Sequence, residues 1–179
     1  VMNYLGGRPS ISPSIRLFSF LIEKKHIKQE VLIDNKSLSI DETLNYSKND
    51  FKLKKYKDKS LLKCDSSVPL EKIAFARSGD KGDHANIGVI ARDSNYLPYI
   101  RNALSIDVVS GLFKHVLKGA VMRWDVPGIN GLNFLLMNAL GGGGMASLNI
   151  DPQGKAYAQM LLETPIPIPK SLLVQIDGR

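Results

Sequence analysis

The chain has little cysteine or histidine chemistry available. It contains a single cysteine, Cys64, among 179 residues, so no disulfide can form within the chain. A zinc cluster built from cysteines is excluded for the same reason. The three histidines, His26, His84 and His115, lie far apart and form no pair at helical spacing. We therefore predict neither a metal site nor a bound cofactor.

Long hydrophobic runs are also lacking. The apolar stretch Leu17–Ile22 is far shorter than the roughly 20 residues that span a bilayer, so we predict no membrane association. The chain begins at Val1 without a basic segment or a small-residue cleavage site, and we expect no signal peptide. A start at Val1 also indicates a piece of a longer product. Because a single cysteine fits a reducing compartment, we predict a cytoplasmic location.

Acidic residues are the scarcer charged type, with 17 Asp and Glu against 24 Lys and Arg, which gives a net charge of +7. More than half of this excess lies in residues 48–69, which carry 7 lysines and 3 aspartates. A nucleic-acid surface needs arginines or stacking aromatics, and this segment offers only Phe51 and Tyr56. We therefore predict a solvated linker and no nucleic-acid partner.

This lysine-rich linker divides the chain into three predicted segments. Residues 1–47 have few apolar anchors and are typical of the end of a larger N-terminal domain. Within them we predict strands over Ile15–Ile22 and Gln29–Ile33, paired as a hairpin, with a turn at Asp34-Asn35. Residues 70–179 have a sharper apolar pattern and form the predicted C-terminal domain.

The order of elements in the C-terminal domain predicts an α+β fold, with helices on one face of a mainly antiparallel sheet. The predicted strands and extended segments are Leu70–Arg77, Asn86–Arg92, Ala120–Val126, Ala146–Asp151, Pro165–Pro169 and Leu172–Ile176. The predicted helices are Tyr96–Asn102, a segment from Ser105 or Asp107 to Lys118, Ile129–Leu140 and Lys155–Leu162. A turn is predicted before the first strand, at Asp65-Ser66-Ser67.

A polar loop between the first two predicted strands is the strongest candidate for a functional site. Its sequence is Ser78-Gly79-Asp80-Lys81-Gly82-Asp83-His84-Ala85-Asn86. In the functional interpretation, Gly79 and Gly82 present backbone N–H groups to an anion and Lys81 adds positive charge. Ser78 and Asn86 then supply further ligand contacts.

The acidic residues and the histidine of this loop allow two interpretations. Asp80, Asp83 or His84 would move protons if the loop is a catalytic site. If the loop is only a strand connection, its glycines supply positive φ and its aspartates form turns with nearby backbone. The residue pattern leaves both interpretations open.

Three other features are predicted to be structural. Gly141–Gly144 follows the predicted helix Ile129–Leu140, whereas phosphate-binding glycines precede a helix, so we predict a C-cap and a flexible or closely packed loop. A lid or a subunit contact is the alternative. Trp124 is predicted to lie in the core or an interface, and His115 to be a satisfied or partly exposed side chain.

Three stretches resemble a known family: FARSGDKGDHANIGVIAR, MRWDVPGINGLNFLLMNALGGGG and SLNIDPQGKAYAQMLLETPIPIP. They are similar to the small C-terminal domain of the acyclic terpene utilisation (AtuA) family, and GGRPSISPSIRLFSFLIEK resembles the end of the family's large N-terminal domain. The resemblance covers about residues 6–35 and 70–169. It implies a ferredoxin-like fold and a place in the breakdown of branched acyl-CoA compounds. The chain departs from the family in length, because nearly all of the N-terminal domain is missing.

From these observations we predict an accessory, binding or oligomerisation domain. Its expected partner is a larger AtuA-type domain or a second copy of the chain, and an acyl-CoA is the ligand class that the resemblance implies. The alternative is an enzyme of the hydratase or lyase type that uses the polar loop on an acyl-CoA or branched acid. The geometry of the loop discriminates between them, since catalysis needs Lys81 and two or more carboxylates facing a concave surface.

Overall fold

The computed structural model describes residues 13, 15, 18, 20–39, 56 and 60–177, without the side chains of residues 174–177. The chain separates into two units. One contains residues 18–54, and the other contains residues 1–17 together with residues 55–179. Each unit is described by itself. The division into an N-terminal remnant, a linker and a C-terminal domain stays a prediction.

The smaller unit contains a β-hairpin formed by strands β1 (Glu30–Ile33) and β2 (Lys36–Ser39). Asp34 and Asn35 connect the strands with φ angles of 45° and 63°. Two positive φ angles match the twist of a two-residue hairpin turn, and Asp and Asn tolerate them. The predicted strand at 29–33 and its turn are confirmed.

The predicted partner of that strand is wrong. β1 pairs with the segment that follows it, and residues 24–26 form a single 3-10 turn. The described residues of the predicted strand 15–22, namely 15, 18 and 20–22, are not in a strand, and the others lie outside the described residues. The short Asp-Asn turn makes pairing with the following segment entropically cheaper than pairing across a longer loop.

The larger unit contains the remaining strands and helices. The strands are β3 (Ser66–Pro69), β4 (Ala74–Lys81), β5 (His84–Ala91), β6 (Val121–Val126), β7 (Gly131–Leu136) and β8 (Pro165–Ile168). The helices are α1 (Leu97–Ala103), α2 (Ile106–Leu112), α3 (Tyr157–Leu162) and α4 (Lys170–Asp177). Short 3-10 turns occur at residues 70–72, 127–129 and 144–146.

Four strands form the central antiparallel sheet in the order β4-β5-β7-β6. Alternate residues of its two inner strands are buried on one face, namely Ala85, Ile87, Val89, Leu132, Phe134 and Leu136. The same core includes buried residues of α1, α2 and α3. Helices therefore cover one face of the sheet, and the predicted α+β fold is confirmed.

A second, two-stranded sheet joins β3 to β8 in antiparallel register. Ile166 and Ile168 are buried, whereas Pro165 and Pro167 are exposed, so the prolines occupy positions that need no ladder donor. The predicted edge strand at residues 165–169 is confirmed. The predicted turn at residues 65–67 is wrong, because Ser66 and Ser67 lie in β3.

The predicted helix Ile129–Leu140 is wrong, and the segment instead supplies β7, an inner strand of the sheet. Leu132, Leu135 and Leu136 have helical spacing, but Leu132, Phe134 and Leu136 also alternate as a strand requires. Pairing with β5 on one side and β6 on the other decides between these periods.

Several other predicted boundaries differ from the structure. The strand predicted at residues 70–77 corresponds to β4, which spans residues 74–81, because residues 70–72 form a 3-10 turn. α2 ends at residue 112, and Ser105 caps it by accepting the Val108 N–H. Residues 146–151 are not a strand, and the predicted extended end lies within α4. The predicted helices at 96–102 and 155–162 correspond to α1 and α3.

Candidate ligand-binding site

The predicted polar loop is the tip of a β-hairpin. Ser78 to Lys81 belong to β4, and His84 to Asn86 belong to β5. Lys81 pairs with His84, which leaves Gly82 and Asp83 as a two-residue turn, named here the hairpin turn. Gly82 has a φ of 64°, as expected where glycine is the first turn residue. Most of the polar loop therefore has strand geometry.

The hairpin turn is bound to the segment that follows β7. The Asp83 carbonyl oxygen accepts the N–H groups of Ala139 at 3.0 Å and Leu140 at 3.1 Å. The Asp83 carboxylate accepts the Gly142 N–H at 2.6 Å. His84 Nδ1 accepts the Asn138 N–H at 2.9 Å. Asp83 and His84 thus satisfy backbone donors.

The contact between the hairpin turn and the segment after β7 explains the glycine run, Gly141–Gly144. All four residues have positive φ, and Gly143 is buried. A Cβ atom at Gly143 would lie 2.6 Å from the Gly82 carbonyl carbon and 3.0 Å from the Asp83 nitrogen. The predicted C-cap is wrong because no helix precedes the run. The other part of that prediction, a flexible or closely packed loop, agrees with the close packing of Gly143, and the alternative of a lid or a subunit contact stays untested.

Ser78 also has a structural contact. Its hydroxyl donates to the Lys155 carbonyl oxygen at 3.1 Å and accepts the Ala158 N–H at 2.9 Å. This side chain therefore connects β4 to the start of α3. The Asp151 carboxylate accepts the N–H groups of Lys155 and Ala156 at 2.9 and 2.8 Å, which stabilises the same helix start.

A cationic depression of about 290 Å³ lies beside β4. Its lining residues are Arg77, Ser78, Gly79, Asp80, Lys81, Asn86 and Lys155. Arg77, Gly79 and Lys81 alternate along the strand, so all three belong to the same face of the sheet. The Lys155 ammonium lies 3.1 Å from the position that a Gly79 Cβ would take, so the missing side chain leaves room for this cation.

The charges of the cationic depression are largely unneutralised. It contains three cationic side chains and one carboxylate, that of Asp80. Within the described ranges, Arg77 and Asp80 have no side-chain hydrogen bond or ion pair, and Lys81 donates only to the Asp80 backbone carbonyl, at 3.1 Å. The site therefore has cationic donors that are not used by the fold itself.

An open face of the sheet extends from the cationic depression, opposite the face that the helices cover. Phe75, Ile90, Met122 and Trp124 on this face are each more than 40% exposed. An apolar depression of about 320 Å³ lies here, and Arg77 lines both depressions. Trp124 is predicted to lie in the core or an interface; its side chain stands on the open face and not in the core, and the interface stays a prediction.

Two amides join the cationic depression to the apolar one. Asn86 Nδ2 donates to Asn133 Oδ1 at 2.9 Å, and Asn133 Nδ2 donates to Asn86 Oδ1 at 3.1 Å. Both side chains are half-buried, and Asn133 lines the apolar depression. Each amide keeps further hydrogen-bonding capacity, since an amide carries two N–H donors and two lone pairs.

Two groups near the sheet, Asp125 and Tyr157, have shifted pKa values, and neither group lines either depression. Hydrogen bonds from Arg101 at 2.7 and 2.8 Å hold the pKa of the Asp125 carboxyl below its usual value. Burial raises the pKa of Tyr157, whose hydroxyl donates to the Ala139 carbonyl oxygen at 3.0 Å. Both groups stabilise the core side of the fold.

No group of three or more His, Cys, Asp and Glu side chains that could hold a metal ion occurs in the described part of the chain. Likewise, none of its helices combines the length and apolar character needed to cross a bilayer.

The structure brings together only some of the predicted site residues. The cationic depression is lined by Ser78, Gly79, Asp80, Lys81 and Asn86. The Asp83 carboxylate instead accepts the Gly142 N–H of the glycine run, and His84 Nδ1 accepts the Asn138 N–H before that run. Sequence reasoning missed two cationic residues, Arg77 and Lys155. The i, i+2, i+4 spacing of Arg77, Gly79 and Lys81 could have indicated the first, but no local signal places Lys155 there.

This architecture defines a class of protein: a small α+β domain with one open sheet face and a cationic depression at its edge. A family model described as the AtuA ferredoxin-like domain matches residues 68–167. The match begins in β3, ends in β8 and covers more than half of the chain, so the chain belongs to this family. The family and the ferredoxin-like fold implied by the resemblance are thereby confirmed. Neither the curated proteins nor the solved structures include a match to the chain.

Proposed function

We propose that this chain is an accessory ligand-binding domain that holds an anionic acyl compound in the cationic depression. The observation that carries the proposal is the convergence of Arg77, Lys81 and Lys155 on one concave surface with a single carboxylate, Asp80. Like charges at close range repel one another, and a bound anion relieves that repulsion. An anion is therefore the favoured occupant.

The donor types suit a carboxylate or phosphate group. A guanidinium such as that of Arg77 offers a planar pair of N–H donors to two oxygens, and lysine ammonium groups add point charge. The Asn86 amide adds a neutral donor at the floor of the site. The AtuA family resemblance supplies the ligand class, which is an acyl-CoA or a branched acid.

The wider setting is part of the same proposal. The domain acts in the cytoplasm within the catabolism of branched acyl-CoA or acyclic terpene compounds. Its partner is a larger AtuA-type domain or a second copy of the chain. Large exposed side chains such as Leu148 and Ile150, both fully exposed, support an association of this kind.

The hydratase or lyase alternative has weaker support. Asp83 and His84, two of its three candidate proton-transfer groups, accept backbone N–H groups after β7. Asp80 is then the one candidate that lines the depression with Lys81. Catalysis of this type needs an acid and a base positioned on the substrate, so we favour binding over turnover.

A thermal-shift screen with coenzyme A and short acyl-CoA thioesters tests the binding proposal. We expect the full chain to be stabilised by at least one thioester, and Lys81→Ala to lose most of that shift. Lys114→Ala is the matched control, because it removes the same charge from an exposed position after α2. Added salt should weaken the shift, since exposed charges are screened over about 8–10 Å. Equal shifts in the two variants, or no shift in the parent chain, would refute the proposal.

A further inference from the structure

The apolar depression adjoins the cationic depression on the open face. The residues that line the apolar depression include Phe75, Gly88, Ile90, Val126, Ile129 and Asn133. Its volume of about 320 Å³ lies at the lower end of the range for small-molecule pockets, roughly 300–1,000 Å³. Arg77 stands at the boundary and lines both depressions.

We infer that the two depressions form one binding groove for an anionic amphiphile. The charged head lies among Arg77, Lys81 and Lys155, and a short hydrocarbon chain of the same molecule lies in the apolar depression. This inference rests on the proposed function for the head group. It adds a subsite for the hydrocarbon chain in the apolar depression, and it gives Gly88 the role of leaving room for that chain.

The strand register gives the length scale of the groove. Gly79 pairs with Asn86, Arg77 with Gly88, and Phe75 with Ile90, so these pairs are successive rows on the open face. Successive rows are two residues apart, which is about 7 Å along a strand. The head-group row and the far apolar row are therefore separated by about 14 Å. A fully extended chain of about ten carbons, attached to the head group, spans this distance of about 14 Å.

Gly88 forms the floor of the apolar depression. It lies between Arg77 and Asn133 in the register, and no heavy atom lies within 4 Å of the position that a Cβ would take. Neither its φ angle nor a close backbone contact requires glycine at this position. Glycine weakens the interior of a strand, and it often occurs there where a ligand approaches the backbone closely. A ligand above Gly88 would account for glycine at this position.

One wall of the apolar depression is preformed. The Arg92 guanidinium lies 3.8 Å from the centroid of the Phe75 ring, and Arg92 Nε donates to the Glu71 carbonyl oxygen at 3.1 Å. This contact restrains a ring that is 55% exposed. A preordered wall reduces the entropy that ligand binding must overcome.

Calorimetric titration with n-alkyl phosphates tests the inference. The probes are inorganic phosphate and ethyl, butyl, hexyl and octyl phosphate, each kept below its micelle concentration. Each methylene should raise affinity about two- to fourfold, because the depression is open on one side and buries each methylene only in part. The gain should continue through octyl phosphate, because its extended chain does not reach beyond Phe75.

Two substitutions separate the tail subsite from the head site. Gly88→Leu should remove the dependence of affinity on chain length, and Gly88→Ala should give an intermediate slope. Gly111→Leu is the matched control, because Gly111 lies exposed in α2 with no atom within 4 Å of its Cβ position. The control should bind the whole series as the parent chain does.

The outcomes distinguish the two proposals. If the phosphates bind without chain-length dependence, the tail subsite is refuted while the anion site stands. If no phosphate binds, both proposals fail. If Gly88→Leu alters the oligomeric state measured by light scattering but not the chain-length dependence, the open face is a contact between copies and the inference is overturned.

Discussion

Gly143 is the position where one added methyl group should disturb the candidate site region most. Gly143→Ala places a Cβ against the backbone of the hairpin turn, 2.6 Å from the Gly82 carbonyl carbon. Backbone atoms cannot move aside as a flexible side chain can. The residue also has φ 70° and ψ 159°, a backbone conformation almost restricted to glycine, which costs another residue about 1–3 kcal/mol.

The expected loss has two parts. The backbone conformation of Gly143 accounts for about 1–3 kcal/mol, and separation of the hairpin turn weakens the bond between the Asp83 carboxylate and the Gly142 N–H. A hydrogen bond to a charged group contributes about 1.5–3 kcal/mol. We therefore expect the free energy of unfolding to fall by about 3 kcal/mol. For a domain of this size the melting temperature should fall by more than about 10 °C.

Gly144→Ala is the comparison variant, because it adds a methyl group at a positive φ without a clash against the hairpin turn. Gly144 also has positive φ, 47°, but no atom lies within 4 Å of its Cβ position. It should lose only the conformational part, about 1 kcal/mol. Urea unfolding followed by circular dichroism measures both variants. If their losses agree within about 0.5 kcal/mol, the close packing of the glycine run against the hairpin turn is not present in solution.

Two further predictions concern β7 and the ion pair beside the sheet. Phe134→Ala should destabilise the domain by about 3–5 kcal/mol, because the ring is fully buried. Leu135→Ala should cost much less, because Leu135 belongs to the open face. Similar losses of the two variants in urea unfolding would contradict the strand register. Asp125→Asn should lower stability at pH 7 by about 1 kcal/mol through loss of the Arg101 ion pair. Since the folded pKa of Asp125 is depressed, this contribution is present above the unfolded pKa of about 4 and is lost as the pH falls through the folded pKa. Thermal melts from pH 7 to pH 2.5 should show the difference between parent and variant shrinking, and a constant difference would count against the ion pair.

Segments with one clear period were predictable from the sequence. β5 and β6 have apolar patterns too short for a helix, and the helix predicted at residues 96–102 corresponds to α1, with Pro98 in its first turn. Residues 129–140 carry two periods at once, and only hydrogen bonding to two neighbouring strands selects one. Residues 146–151 have apolar alternation but no partner strand among the described residues, so alternation alone did not produce a strand.

The sequence by itself determined the family and the α+β class, because these depend on local residue patterns, and it marked residues 78–86 as the candidate site. The tertiary structure decided which side chains of that stretch are available to a ligand. In the folded chain Asp83 and His84 accept backbone N–H groups. Lys155, which immediately precedes the N-terminal end of α3, lies at the edge of β4 and lines the same depression as Arg77. Contacts between residues some 60 to 80 positions apart depend on strand pairing and packing, and no local pattern encodes them.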